Sequence, residues 1–162
     1  MPIPLVTQHH PDDFKLLNYN QHSNPVAGTN AVLLYADRTM VIDSITVMVQ
    51  VAAGATATAS FEVTSNPIVT TGTVIAVANL VETAGDTIFL DGANNSSGNV
   101  RKISATGTAG SSTSSTQLKF LSVANTSIDN VVPAGSWLVI DWTGTPTTFR
   151  GLVQIRFRSR QA

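Results

Sequence analysis

Apolar and polar residues alternate most regularly near the C-terminal end of the chain, over residues 133–157. Residues 137–142 carry apolar side chains on both sides of the backbone, which is typical of a strand covered on both faces. Residues 153–157 alternate strictly, so one face of this run is dry and the other wet. Gly144 and Pro146 separate the two runs with turn chemistry. The pattern predicts a β-hairpin that closes an all-β core.

Further apolar runs predict more strands along the chain. Residues 40–51 form the longest candidate, and residues 52–55 supply a turn into residues 57–63, which we expect to pair with them as a second hairpin with a wet outer face. Shorter strand signals lie at residues 31–36, 87–90, 100–106 and 117–124. Val69, Val74, Ile75 and Val77 suggest another strand, although residues 76–83 could instead form a short helix. Residues 91–99 and 107–116 are rich in Ser, Gly, Asn and Thr and predict surface loops.

About eight strands with no long helix and no internal repeat indicate an all-β fold. The predicted architecture is a two-sheet antiparallel sandwich of the jelly-roll or Greek-key type. It occupies residues 31–162 and is preceded by an extended N-terminal arm at residues 1–30.

The arm is predicted from four prolines and the lack of any helical or strand period over residues 1–30. Its apolar side chains need cover, and we expect them to gain it on a neighbouring molecule, where burial offsets the entropy of ordering the arm. The alternative is an arm that folds back over its own sandwich as an extra edge strand. The candidate contact residues are Leu5, Val6, His9, His10, Phe14, Leu16, Leu17 and Tyr19.

Composition excludes several classes of function. Of the 162 residues, none is cysteine and only 12% are charged, with a formal net charge of −1. Disulfides and thiolate metal sites are therefore impossible, and an excess of basic residues for binding nucleic acid is missing. A weakly charged surface is easily desolvated by another protein. We also expect no export signal and no membrane span, because no apolar run approaches about 18 residues.

Candidate chemistry is sparse. His9, His10, Asp12 and Asp13 are suitable ligand types, but neighbours in an extended segment point apart, so we predict neither a metal site nor a cofactor. Imidazoles at this position would make contact with a partner pH-dependent. Asp141 is expected to accept hydrogen bonds or to pair with an arginine. No nucleophile motif, phosphate loop or carboxylate pair is evident, and the sequence predicts that the protein is not an enzyme.

Arginines cluster at the C-terminus. They allow two interpretations: a solvated edge that discourages aggregation, or an oligomer interface that binds carboxylates of a neighbour such as Asp37, Asp43 or Glu62. The residues concerned are Arg150, Arg156, Arg158 and Arg160.

Residues 132–158 also carry a resemblance. A Pro-Ala-Gly turn at 133–135, an apolar strand ending in Asp141-Trp142, a Thr-Gly-Thr turn at 143–145 and a valine-rich last strand resemble the small β-sandwich decoration (cement) proteins of tailed-bacteriophage capsids. Residues 40–63 resemble them more weakly. The resemblance implies a structural protein, made in the host cytoplasm, that sits on the outer capsid surface, binds the major capsid protein and often forms a homotrimer.

Two other functions fit the same fold. One is a carbohydrate- or receptor-binding module of a phage fibre, which usually needs exposed aromatic residues, whereas Trp137 and Trp142 read as buried. The other is a head–tail or baseplate component of the same architecture.

Overall fold

The computed structural model describes residues 14–22, 24–68, 72–92, 100–118 and 130–159, and within them it is built almost entirely of β-strands. Two antiparallel sheets, one of seven strands and one of four, form a sandwich. The strands are β1 (Lys15–Gln21), β2 (Asn30–Tyr35), β3 (Met40–Val51), β4 (Thr58–Thr64), β5 (Thr73–Asn79), β6 (Thr87–Leu90), β7 (Val100–Ile103), β8 (Ala109–Ser112), β9 (Val131–Val132), β10 (Trp137–Thr143) and β11 (Arg150–Ser159).

The strand order makes the sandwich a jelly roll. The larger sheet runs β1-β11-β3-β6-β7-β8, with β9 beside β3, and the smaller sheet runs β2-β10-β4-β5. Four antiparallel pairs nest inside one another along the chain: β4 with β5, β3 with β6, β2 with β10, and β1 with β11. This nesting over eight strands is the jelly-roll arrangement. Strands β7, β8 and β9 are additions between β6 and β10.

The core lies between the two sheets. Both sheets contribute to it, because each strand turns alternate side chains toward the other sheet. Burying each large apolar side chain contributes about 1.5–3 kcal/mol relative to exposure. The largest fully buried side chains are Phe61, Phe149, Ile42, Ile45, Leu80, Ile88, Leu90, Leu118, Leu138, Ile140, Ile155 and Val47.

The two predicted hairpins are wrong, although their strands exist. Strands β10 and β11 lie in different sheets, and so do β3 and β4. Each connection crosses the sandwich instead of folding back along one sheet. Hydrogen bonds join the β3–β4 connection to the β10–β11 connection: Gly54 N donates to Thr145 O at 3.1 Å, and Thr145 Oγ1 donates to Ala55 O at 2.5 Å. Alternation shows that a run has a dry face but leaves open whether the next run pairs beside it or packs across from it.

Residues 15–21, in the second half of the predicted arm, form the first strand of the jelly roll. Strand β1 pairs along its full length with β11 of the same chain, and Leu17 and Tyr19 pack against the core. For residues 15–21, the alternative prediction is therefore correct: this segment adds an edge strand to its own sandwich. Alternating inward Leu17, Tyr19 and Gln21 with outward Leu16, Asn18 and Asn20 fits a half-buried edge strand.

Two predicted surfaces are also different from expectation. Within the predicted loop at residues 107–116, Ala109–Ser112 is the edge strand β8, and Thr116 bridges to Val77 of β5 in the other sheet. The outer face of β4 is buried rather than wet, at Ser60, Glu62 and Thr64. Strand β10 is covered on both faces, as predicted. The predicted loop at 93–99 and strand residues 119–124 lie outside the described residues.

The crossing between β10 and β11 yields a stability prediction. Gly144 has φ +70° and packs so closely on the backbone that an added Cβ would overlap the carbonyl oxygen of Thr56. We expect Gly144→Ala to lower the free energy of unfolding by about 2–4 kcal/mol, from left-handed strain and overlap together. The matched control Gly107→Ala shares a positive φ, +82°, but meets open space, and should cost only about 1 kcal/mol. Urea unfolding measures both, and equal losses would contradict the role of the contact.

Candidate functional site

The pairing of β1 with β11 brings together two sets of residues that the sequence predicted separately. In the register of this pair, Leu16 faces Arg156 and Asn18 faces Gln154, all on the outer side of the seven-stranded sheet. Arg156 and Arg158 are exposed, as expected from the alternation with buried Val153 and Ile155. Apolar residues of the predicted arm and arginines of the predicted interface therefore share one surface.

Phe14 organises the arginines on this surface. The guanidinium carbon of Arg156 lies 3.6 Å from the centre of the Phe14 ring, and that of Arg158 lies 5.8 Å away. Such cation–π contacts are attractive because the ring face is electronegative, and they hold both guanidinium groups in place without neutralising them. Arg156 remains exposed at the outer surface of the sheet.

Asp43 is the acidic neighbour of this pair. Arg158 Nε lies 3.6 Å from Asp43 Oδ1, whereas Asp43 Oδ2 is buried and has no hydrogen-bond partner in the described part of the chain. Burial raises the pKa of the Asp43 carboxyl above its ordinary value, and the charges of Arg158 and Arg156 lower it in part. The carboxylate predicted to meet arginines of a neighbour thus pairs with an arginine of its own chain.

Exposed apolar side chains continue the surface across the sheet. Leu16 is 60% exposed, and Met48 on β3 is 44% exposed and pairs with Leu152 of β11. On β6 the half-buried Phe89 carries the Arg101 guanidinium at 3.9 Å from its ring centre, and Arg101 also binds Asp91 at 2.9 Å. We name this surface the arginine–aromatic face; it comprises Phe14, Leu16, Met48, Phe89, Arg101, Leu152, Arg156 and Arg158.

Not every predicted residue belongs to this face. Leu17 and Tyr19 point into the sandwich, and Arg150 is exposed at the opposite end of β11, beside Val51. Residues Leu5, Val6, His9, His10 and Arg160 lie outside the described residues. Sequence reasoning missed Met48, Phe89 and Arg101. Each is an apolar or basic residue on the outward-facing side of a strand. Such a residue indicates a shared surface only when the neighbouring strands are known.

A second exposed feature lies on the outer side of the four-stranded sheet. Tyr35 of β2 and Trp137 of β10 face each other across the strands, with ring centres 4.7 Å apart and planes tilted by 50°. Tyr35 is 49% exposed and Trp137 is half-buried, whereas Trp142 is buried in the core. The prediction that both tryptophans are buried is therefore right for Trp142 and wrong for Trp137.

The Asp43–Arg158 pair yields a pH prediction. We expect Arg158→Gln to raise the pKa of Asp43 further, because a charge that lowers it is lost, and to reduce the free energy of unfolding at pH 7 by about 0.5 kcal/mol. Since the pKa of folded Asp43 lies above its ordinary value, the folded state holds the proton more tightly, and stability falls as pH rises through that pKa. The fall should be larger in the variant.

Carboxyl-carbon NMR titration and urea unfolding at several pH values measure these effects. The control Arg150→Gln removes an equal charge at the far end of the same strand. An unchanged Asp43 pKa in Arg158→Gln, or the same change in both variants, would contradict the assignment.

The chain matches no protein-family model, no curated protein and no solved structure. In the part of the chain that the structure describes, no helix has the length and apolar character needed to cross a membrane.

Proposed function

We propose that this protein is a structural, non-catalytic component of a virus particle: a decoration protein that binds the outer surface of a phage capsid and stabilises contacts between major capsid protein subunits. The observation that carries the proposal is the arginine–aromatic face, an exposed apolar surface with fixed arginines. The resemblance of residues 132–158 supplies the identity of the partner. Jelly rolls serve in viral capsid and lectin domains, so the fold is compatible with the proposal without requiring it.

The chemistry of the face suits a protein partner. Protein interfaces are enriched in aromatic residues, methionine and arginine, and this face combines all three. Arg156 is exposed and held against Phe14, and a guanidinium group binds carboxylates in a two-pronged geometry. We therefore expect the partner surface to be acidic around an apolar centre. Nucleic acid and membrane lipid are not part of the proposal.

The position of the face relative to the N-terminus extends the proposal to residues 1–13. Phe14 follows residues 1–13 in the sequence and lies beside Arg156 and Arg158. In the proposal, the face docks on the capsid while residues 1–13 reach an adjacent subunit. Binding only the assembled lattice stabilises that lattice by mass action. Several identical segments on one homotrimer raise the avidity without stronger individual contacts.

Charge reversal on the face tests the proposal. We expect Arg156→Glu to reduce occupancy on purified heads, stripped of this protein and titrated back, by at least about tenfold, because like charges then meet across the interface. The matched control Arg38→Glu reverses an exposed arginine in the turn between β2 and β3 and should bind normally.

Deletion of residues 1–13 is the companion variant and should also reduce occupancy. It stops before β1, since a longer deletion would remove Leu17 and Tyr19, which pack against the core, and damage the fold. Thermal melting confirms that each variant is folded. Full occupancy with both Arg156→Glu and the deletion would exclude this mode of binding.

The Tyr35–Trp137 pair favours one other candidate, a carbohydrate-binding module of a fibre or receptor-binding component. Sugar rings stack on exposed aromatic side chains, and this pair presents a ring that is half exposed. If the candidate is correct, a glycan array should give a selective signal that Tyr35→Ala abolishes while Tyr19→Phe, in the other sheet, preserves it. Capsid binding without any glycan signal excludes it.

A further inference from the structure

A buried carboxylate on the smaller sheet has no counter-charge among the described residues. Asp141 lies on β10, where its cross-strand neighbours are Asn30 of β2 and Ser60 of β4. Its side chain points to the outer side of the sheet, away from the core, yet the residue is only 9% exposed. Its Oδ1 atom is buried and has no hydrogen-bond partner among the described residues. The expected pairing of Asp141 with an arginine is not among the described ion pairs.

A second buried carboxylate lies on the same side of the sheet. Glu62 of β4 is the cross-strand neighbour of Val139, so it lies diagonally next to Asp141, a separation of roughly 7–8 Å between backbone positions. Glu62 is 5% exposed, and its Oε2 accepts a hydrogen bond from Gly72 N at 2.8 Å. Gly72 rests directly on this side chain, because an added Cβ would come within 2.9 Å of Oε2.

Asn30 places a third oxygen beside the two carboxylates. Its Nδ2 donates to Pro67 O at 3.1 Å, and its Oδ1 is buried next to Asp141 across the strands. Pro67 and Gly72 both belong to the connection between β4 and β5, which explains why the outer face of β4 is covered. Asn30 and Glu62 therefore flank Asp141 on one side of the sheet, and each is hydrogen-bonded to a described residue of this connection.

The described basic residues do not neutralise these carboxylates. Arg38, Arg101, Lys102 and Arg158 form ion pairs with other acidic residues, at Asp37, Asp91, Glu82 with Asp86, and Asp43. Burial raises the pKa of Asp141 and of Glu62, and the charge of Asp141 raises that of Glu62 further. Two buried carboxylates without a counter-charge among the described residues are costly unless a proton or a cation neutralises them.

We propose that Asn30, Glu62 and Asp141 bind one Ca²⁺ ion between β2, β10, β4 and the β4–β5 connection. All three side chains offer oxygen, which hard divalent cations prefer, and the described neighbours include neither histidine nor cysteine for a softer metal. Among the described residues no group of three or more His, Cys, Asp or Glu forms a metal cluster, so the amide oxygen of Asn30 is a necessary third ligand. Calcium accepts such mixed, irregular oxygen sets, whereas Mg²⁺ demands near-octahedral geometry.

The ion would fasten the β4–β5 connection to the sheet, because Pro67 and Gly72 are bonded to two of its ligands. Thermal melting of the full chain in EDTA, in CaCl₂ and in MgCl₂ tests the proposal. At a calcium concentration of about 100 Kd, the midpoint of the wild-type protein should rise by about 5–10 °C. Isothermal titration calorimetry should give one Ca²⁺ per chain.

Asp141→Asn and Glu62→Gln keep the shape of each side chain and remove its charge. Both should abolish calcium binding and the rise in melting temperature, and should melt at or above the wild-type temperature in EDTA, because a buried charge is gone. The control Asp43→Asn removes a partly buried carboxylate of the other sheet and should keep the full calcium response. Absence of a wild-type response, an equal response to Mg²⁺, or a response retained in both variants would overturn the proposal.

Discussion

The antiparallel pairing of the first strand with the last is the interaction on which the rest of this structure depends. Strand β1 forms the outermost of the four nested pairs, and without it β11 would become an open edge with Leu17 and Tyr19 removed from the core. An edge of that length is a site for aggregation. The same pairing carries Phe14 and Leu16 to the arginines of β11. The pairing of β1 with β11 thus both closes the fold and forms the arginine–aromatic face.

The two sheets use their outer sides differently. On the seven-stranded sheet, the outer side keeps exposed apolar residues and arginines, a composition that a protein partner can bury at low cost. On the four-stranded sheet, Glu62 and Asp141 are buried on the outer side, and Gly72 of the β4–β5 connection donates a hydrogen bond to Glu62. The first side fits a contact made with another molecule. The second fits a site in which side chains of this chain bind a small cation.

Much of the architecture was predictable, because burial of one face imposes a period of two on each strand. The runs at β3, β4, β6, β10 and β11 were located correctly, and the jelly roll was one of the two predicted topologies. The candidate face was predicted only in part. Arg156 and Arg158 stood out by charge, whereas Met48 and Phe89 were ordinary apolar residues until their strands were placed side by side. Prolines at 2, 4, 11 and 25 made the whole of residues 1–30 look like one arm and hid the weak alternation of β1.

By itself, the sequence determined the fold class, the positions of most strands and the scarcity of charge, since these follow from local alternation and composition. Only the tertiary structure decided which strands are neighbours: that β10 and β11 belong to different sheets, that Leu16 faces Arg156, and that Asn30 and Glu62 lie on strands on either side of Asp141. The physical reason is that alternation records which side of a strand is dry, but pairing depends on contacts between residues far apart in the chain. Such contacts leave no local pattern to read.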